Sequence, residues 1–339
     1  MKLFELSKQY FNDYKEFIFE NIKDSSIIDS LAFGIVGEGS ECLKYDDDIS
    51  RDHDLNFGFC IFIPDDFDEK LRFKLSRIYS KLPKEYKGYK KPLIGPAGTN
   101  RRGVFRIGDF YRKHIGVFYD EIVAKRKYLL LDYNFYLSLK PFYLLNASNG
   151  EVFLDNYGEF SFVRQVLKKG YPKDIILKKL SIYSISAHQE GAYNFERMMK
   201  RGDLGASAIC CYEFVKAIVS IIYLLNNSYE PYYKWCIRGL DDLNVLKELK
   251  EELVLLLNLG YGINSFNELI EKDIHKNITL NDKNGIYEKK KELINFIIKK
   301  VCEKFNELGY SDFDEYKLDH HAYSIVNHIK DVTIRNMPF

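Results

Sequence analysis

The chain lacks a surplus of either charge. Lys and Arg number 50 against 49 Asp and Glu, a formal net charge of +1. Composition therefore offers no field that would gather a polyanion, and a nucleic-acid partner, such as an RNA end, is not favoured. Paired thiols are absent too. None of Cys42, Cys60, Cys210, Cys211, Cys236 and Cys302 forms a Cys-x-x-Cys motif, which fits buried free thiols in a reducing compartment. The first 23 residues place apolar positions at helical spacing between charges, without the unbroken apolar centre of a signal peptide. The most apolar run, 206–225, contains Glu213 and Lys216 and reads as a core helix rather than a membrane span. The expectation is a cytoplasmic protein with no membrane partner. Repeats and low-complexity tracts are also missing. Hydrophobic residues at 46% and charged residues at 29% over 339 positions describe globular material for one large domain or two ordinary ones.

What is present changes character along the chain. Residues 3–22 repeat apolar side chains at helical spacing (Leu3, Phe4, Leu6, Tyr10, Phe11, Tyr14, Phe17, Ile18). The apolar runs 31–36 and 55–63 read as buried strands, 66–82 as a helix and 103–107 as a third strand, with a Lys-, Gly- and Pro-rich loop over 83–102. From about residue 160 strand candidates stop. Helical patterns cover 172–201, 205–225, 232–243, 245–259, 287–308 and 319–334, two of them closed by Gly260 and Gly309. The expected class is α+β: a mixed-sheet domain over 1–158 followed by an all-helical domain over 159–339.

The chemistry-bearing stretch is 31–62, LAFGIVGEGSECLKYDDDISRDHDLNFGFCIF. A strand runs into Gly-Glu-Gly-Ser, where glycines let backbone amides approach an anionic oxygen closely and Ser40 adds a hydroxyl. Asp52 and Asp54 flank one residue, so on an extended chain they project from one face. Two carboxylates aimed together make a hard oxygen site for Mg²⁺ or Mn²⁺ shared with a triphosphate. His53 would point the other way and reads as structural. The 46–48 aspartates read as a solvated loop or as partners that orient the ligands, with Arg51 able to offset repulsion between the pair.

The arrangement Gly39-Ser40 … Asp52-His53-Asp54 resembles the glycine-serine and paired-aspartate pattern of the DNA polymerase beta-like nucleotidyltransferase superfamily, which includes aminoglycoside and lincosamide nucleotidyltransferases. A closer likeness is to bacterial nucleotidyltransferase-like proteins with a C-terminal domain of unknown function. It extends through residues 150–164, 188–203 and 231–235, and more faintly 335–339. The resemblance implies that Gly39 and Ser40 hold the triphosphate and that Asp52 and Asp54 hold the metal. The superfamily usually adds a third carboxylate from a later strand. Here 103–107 offers Phe105 and Arg106, and Asp109 follows just past its end.

Three further residues are candidates in the second half. Glu190, Arg197 and Arg201 are seven and four residues apart and would share a helical face. Such a stripe is either a solvated face or a group in which Glu190 acts as general base while Arg197 or Arg201 reaches phosphates. Lys234, beside the single tryptophan in YEPYYKW, is a candidate triphosphate contact or part of a packed aromatic corner. His320-His321 point apart on a helix and are not read as metal ligands. The function expected is transfer of a nucleoside monophosphate from an NTP to a hydroxyl, with a small-molecule acceptor favoured. The alternatives are a catalytically inactive nucleotide-binding module and a toxin that nucleotidylates tRNA.

Overall fold

A computed structural model describes residues 2–47, 57–91, 101–116, 133–259 and 283–339. The fold is α+β with a mixed sheet and many helices. The chain divides into two compact units, residues 1–170 and 171–339.

The first unit opens with α1 (Leu3–Ile22), which ends where Lys23 turns left-handed and returns its N–H to the Phe19 carbonyl. Next, α2 (Ser25–Asp29) is capped by the Asp24 carboxylate, which accepts from the Ser26 and Ile27 amides. Then come β1 (Ala32–Ile35), β2 (Cys60–Ile63) and α3 (Glu69–Ser80). The last begins later than its periodicity predicts, because Asp68 caps the Lys70 and Leu71 amides. The 83–102 stretch, expected to be a loop, contains a short hairpin of β3 (Glu85–Tyr86) and β4 (Tyr89–Lys90). Beyond it lie β5 (Gly103–Arg106), α4 (Ile107–Ile115), α5 (Tyr133–Ser138), α6 (Pro141–Ser148), β6 (Glu151–Asp155) and α7 (Glu159–Leu167).

The sheet order is β5-β2-β1-β6, with β1 antiparallel to β2 and β6, and β2 parallel to β5. Strand β6 was not expected from its sequence: Glu151 and Asp155 at its ends hide a three-residue apolar centre. Alternation sorts the faces. Phe33, Phe59, Ile61 and Ile63 bury against Leu6, Tyr10 and Phe11 of α1 and Leu75 and Ile78 of α3. Phe62 faces the other way, stacked on Phe160 at 3.8 Å and edge-on to Phe110. Both faces are covered, so β1 and β2 read as continuous apolar runs.

Among the described residues of the second unit, the regular elements are helical. They are α8 (Lys173–Ala187), α9 (Phe195–Arg201), α10 (Leu204–Leu225), α11 (Tyr233–Cys236), α12 (Lys250–Asn258), α13 (Lys283–Glu307), α14 (Leu318–Asn327) and α15 (Val332–Asn336). The core helix α10 is long and apolar enough to cross a membrane by length and composition, yet 72% of that window is buried in the protein. Two expected helices are broken. Over 232–243 a four-residue helix gives way to a 3-10 turn. Over 319–334 the helix stops at Asn327 and a second begins behind Asp331, whose side chain caps the Thr333 and Ile334 amides. The expected 172–201 helix is interrupted by a π-helical segment, His188–Asn194.

Candidate functional site

Strand polarity decides what gathers at one edge of the sheet. Gly34 pairs with Cys60, Ile35 with Glu151, and Cys60 with Gly103. The C-terminal end of β1 therefore lies beside the N-terminal ends of β2, β5 and β6. The 37–40 turn leaves β1 at this edge.

The turn is held from several sides. Asn149 bonds Gly37 twice: its amide oxygen accepts the Gly37 N–H at 2.8 Å, and its amide nitrogen donates to the Gly37 carbonyl at 2.7 Å. The Gly150 N–H reaches the Cys42 carbonyl at 3.1 Å. Lys113 pairs with Glu38 at 3.2 Å. Most important is a buried ion pair: Arg102, just before β5, donates to Glu41 at 2.5 Å, with side chains 2% and 5% exposed. The same guanidinium lies beside the thiols of Cys42 and Cys60, 3.9 and 4.0 Å away, and burial pushes the Cys42 thiol up to about 12. Neither thiol is poised as a nucleophile.

Glu41 folds back over Gly39. A Cβ on Gly39 would meet the Glu41 carboxylate at 2.3–2.5 Å, and its φ of +123° is one that other residues rarely adopt. Glycine is thus required at 39 by both backbone and neighbour. The N–H groups of Glu38, Gly39 and Ser40 make no hydrogen bond with a described residue. Three amides of one rigid turn are left for a ligand, the arrangement that suits an anion.

Asp52 and Asp54, together with Asp48, Arg51 and His53, lie outside the described residues. Asp46 departs from the solvated-loop expectation. It is buried and accepts the Leu3 N–H at 2.6 Å, so it supplies the cap at the start of α1. Asp109 lies in the first turn of α4, exposed and paired with Arg112 at 3.1 Å. Because β5 runs parallel to β2, Asp109 follows the end of β5 away from the turn, and β5 itself holds no carboxylate. Among the described residues no group of His, Cys, Asp and Glu is arranged to hold a metal ion.

In the second unit, Glu190 and Arg197 no longer keep the α-helical period that would place them on one face. The π segment runs between them with more residues per turn. Glu190 lies beside the Cys210 thiol, which burial, with a smaller contribution from this carboxylate, pushes up to about 11. Arg197 is exposed, donating to the Tyr193 hydroxyl at 2.7 Å while stacked on its ring. Arg201 is exposed at the end of α9. Lys234 is exposed, and it and Arg238 each lie within 6 Å of the Trp235 ring centre, at 5.9 and 5.7 Å. His321 is buried, with one ring nitrogen on the Ser311 hydroxyl and the other on the Glu315 carbonyl, both at 2.8 Å, a structural role.

Besides the Glu41–Arg102 pair, sequence reasoning passed over two groups. Glu230 is a shielded carboxylate whose pKa burial raises, bonded by the Ser220 hydroxyl at 2.6 Å. His114, in the last turn of α4, lies beside Gly37. Neither stands in a recognisable motif; only packing sets them apart.

Residues 136–236 match a family described as a domain of unknown function (DUF4037). No curated protein and no solved structure matches the chain.

Proposed function

We propose that the protein is a metal-dependent nucleotidyltransferase that moves a nucleoside monophosphate from an NTP to a hydroxyl of an acceptor, with a small molecule favoured. The observation that carries this reading is the edge where β1 ends and β2 begins. A rigid turn with three unbonded amides leaves one strand there, and the other strand follows the Asp52-His53-Asp54 segment in sequence. In this reading Gly39 and Ser40 bind triphosphate oxygens. Asp52 and Asp54 would hold Mg²⁺ or Mn²⁺, which supplies neutralisation of charge on the reacting phosphate. Glu41 is already neutralised by Arg102 and is not a metal ligand in this scheme.

The acceptor hydroxyl attacks the α-phosphorus in line with the leaving pyrophosphate, losing its proton to a base. Glu190 is the candidate base, and Arg197 and Lys234 are candidate phosphate contacts. Titration calorimetry with each NTP, with and without Mg²⁺, followed by pyrophosphate release across an acceptor panel, tests the proposal. Asp52→Ala should lower release about a hundredfold or more while the protein stays folded.

The second reading, a nucleotide-binding module without catalysis, is favoured by one observation. Gly103, Val104, Phe105 and Arg106 of β5 provide no third carboxylate, and Asp109 is paired elsewhere. NTP binding with no turnover across the panel would select it.

A further inference from the structure

We infer that His114 reads the ligand of the 37–40 turn, donating a hydrogen bond from Nε2 to a phosphate oxygen seated against the free amides. This rests on the reading of the turn as a nucleotide site and adds a residue that reading did not contain.

The argument starts from chain direction. Strand β5 leads away from the turn, and α4 brings the chain back over nine residues, a rise of about 13 Å. Its last turn therefore arrives where its first turn cannot: Lys113 pairs with Glu38, and the His114 ring lies over Gly37. Nε2 is 3.5 Å from the point where a Gly37 side chain would begin, and Phe110, one helical turn earlier, is at 3.4 Å. A Cβ at Gly37 would meet both rings at ordinary van der Waals distance, and it is the φ of +97° that calls for glycine there.

The ring is 4% exposed, and its Nδ1 is buried with no hydrogen-bond partner. A buried orphan N–H is rarer than an under-satisfied acceptor, so the proton belongs on Nε2, the nitrogen that faces Gly37. Burial, with a smaller contribution from Lys113 and against a weaker opposing pull from Glu38, lowers the imidazole pKa to about 4. The ring is neutral at physiological pH and acts as a donor rather than as a charge. A structural histidine would have both nitrogens engaged, as His321 does. His114 has neither bonded, although its surroundings keep its orientation through the edge-on Phe110 ring at 4.6 Å.

The test uses the full-length protein with ATP, GTP, CTP and UTP as probes, in the presence of Mg²⁺. His114→Phe keeps ring volume beside Phe110 and removes the donor. The expected result is NTP binding weakened about tenfold or more, with the thermal midpoint at pH 7.5 little changed. The unmodified protein gives a second readout: with ¹⁵N-labelled histidine, the Nε2 signal of one neutral imidazole should move on NTP addition. If wild type binds an NTP while His114→Phe binds it equally and no imidazole signal moves, this inference is overturned and the nucleotide site stands. If wild type binds no NTP, both fall together.

Discussion

Glu41 and Arg102 were singled out by no motif, yet they hold the turn through a pair of charges removed from water. Breaking one partner leaves the other buried alone, which costs far more than the intact pair contributes. Glu41→Gln should lower unfolding free energy by about 3–5 kcal/mol in urea titrations. Arg102→Met in the same background should recover part of the loss, since no unpaired guanidinium remains; strict additivity of the two changes would count against coupling. His114 makes a pH prediction. Its folded-state pKa of about 4 lies below the ordinary value of 6.5, so between those values the unfolded chain takes up a proton that the folded chain refuses. Stability from this site is full above pH 6.5 and is lost as pH falls toward 4, by on the order of 3 kcal/mol. Comparing wild type with His114→Phe isolates it, because the other titrating groups are shared. The stability of wild type relative to the variant should decline steadily from pH 7 to pH 4.5.

Elements show where local pattern and packing part company. Helix α10 was legible because its apolar residues run continuously; it packs against α8, α9 and α12, and its Phe214, Ile218 and Ile222 are fully buried. The π segment was not legible, since spacing alone assumes a uniform α period. Gly191 marks it: a Cβ there would lie 2.3 Å from the Phe214 ring, so the widened turn exists where an aromatic ring of α10 lies directly on its backbone. Gly191→Ala should cost about 1–3 kcal/mol by overpacking, measured as a lower denaturant midpoint; an unchanged midpoint would show that the segment can relax. The β6 strand escaped notice for a related reason. Five residues with charged ends are too short for alternation to declare itself, and their strand character comes from pairing with β1.

At the scale of the whole molecule, two units carry separate cores, and each substitution should be felt in its own unit. Calorimetry of Glu41→Gln and Gly191→Ala should resolve two transitions, each variant lowering a different one. A single transition moved equally by both would mean the chain unfolds as one cooperative block. The sequence by itself determined the mixed-strand character of the first half, the helices of the second, and the glycine-rich turn with the paired aspartates after it. Those features depend on periodicity and on residue chemistry at short range, which the linear order preserves. Tertiary structure alone decided that Asp46 caps α1, that Asp109 lies beyond the far end of β5, that Glu190 faces a thiol, and that His114 and Arg102 meet the turn. The placements at the sheet depend on the direction in which distant strands run past one another, and that of Glu190 on the π segment packing against α10; neither is set by a local pattern.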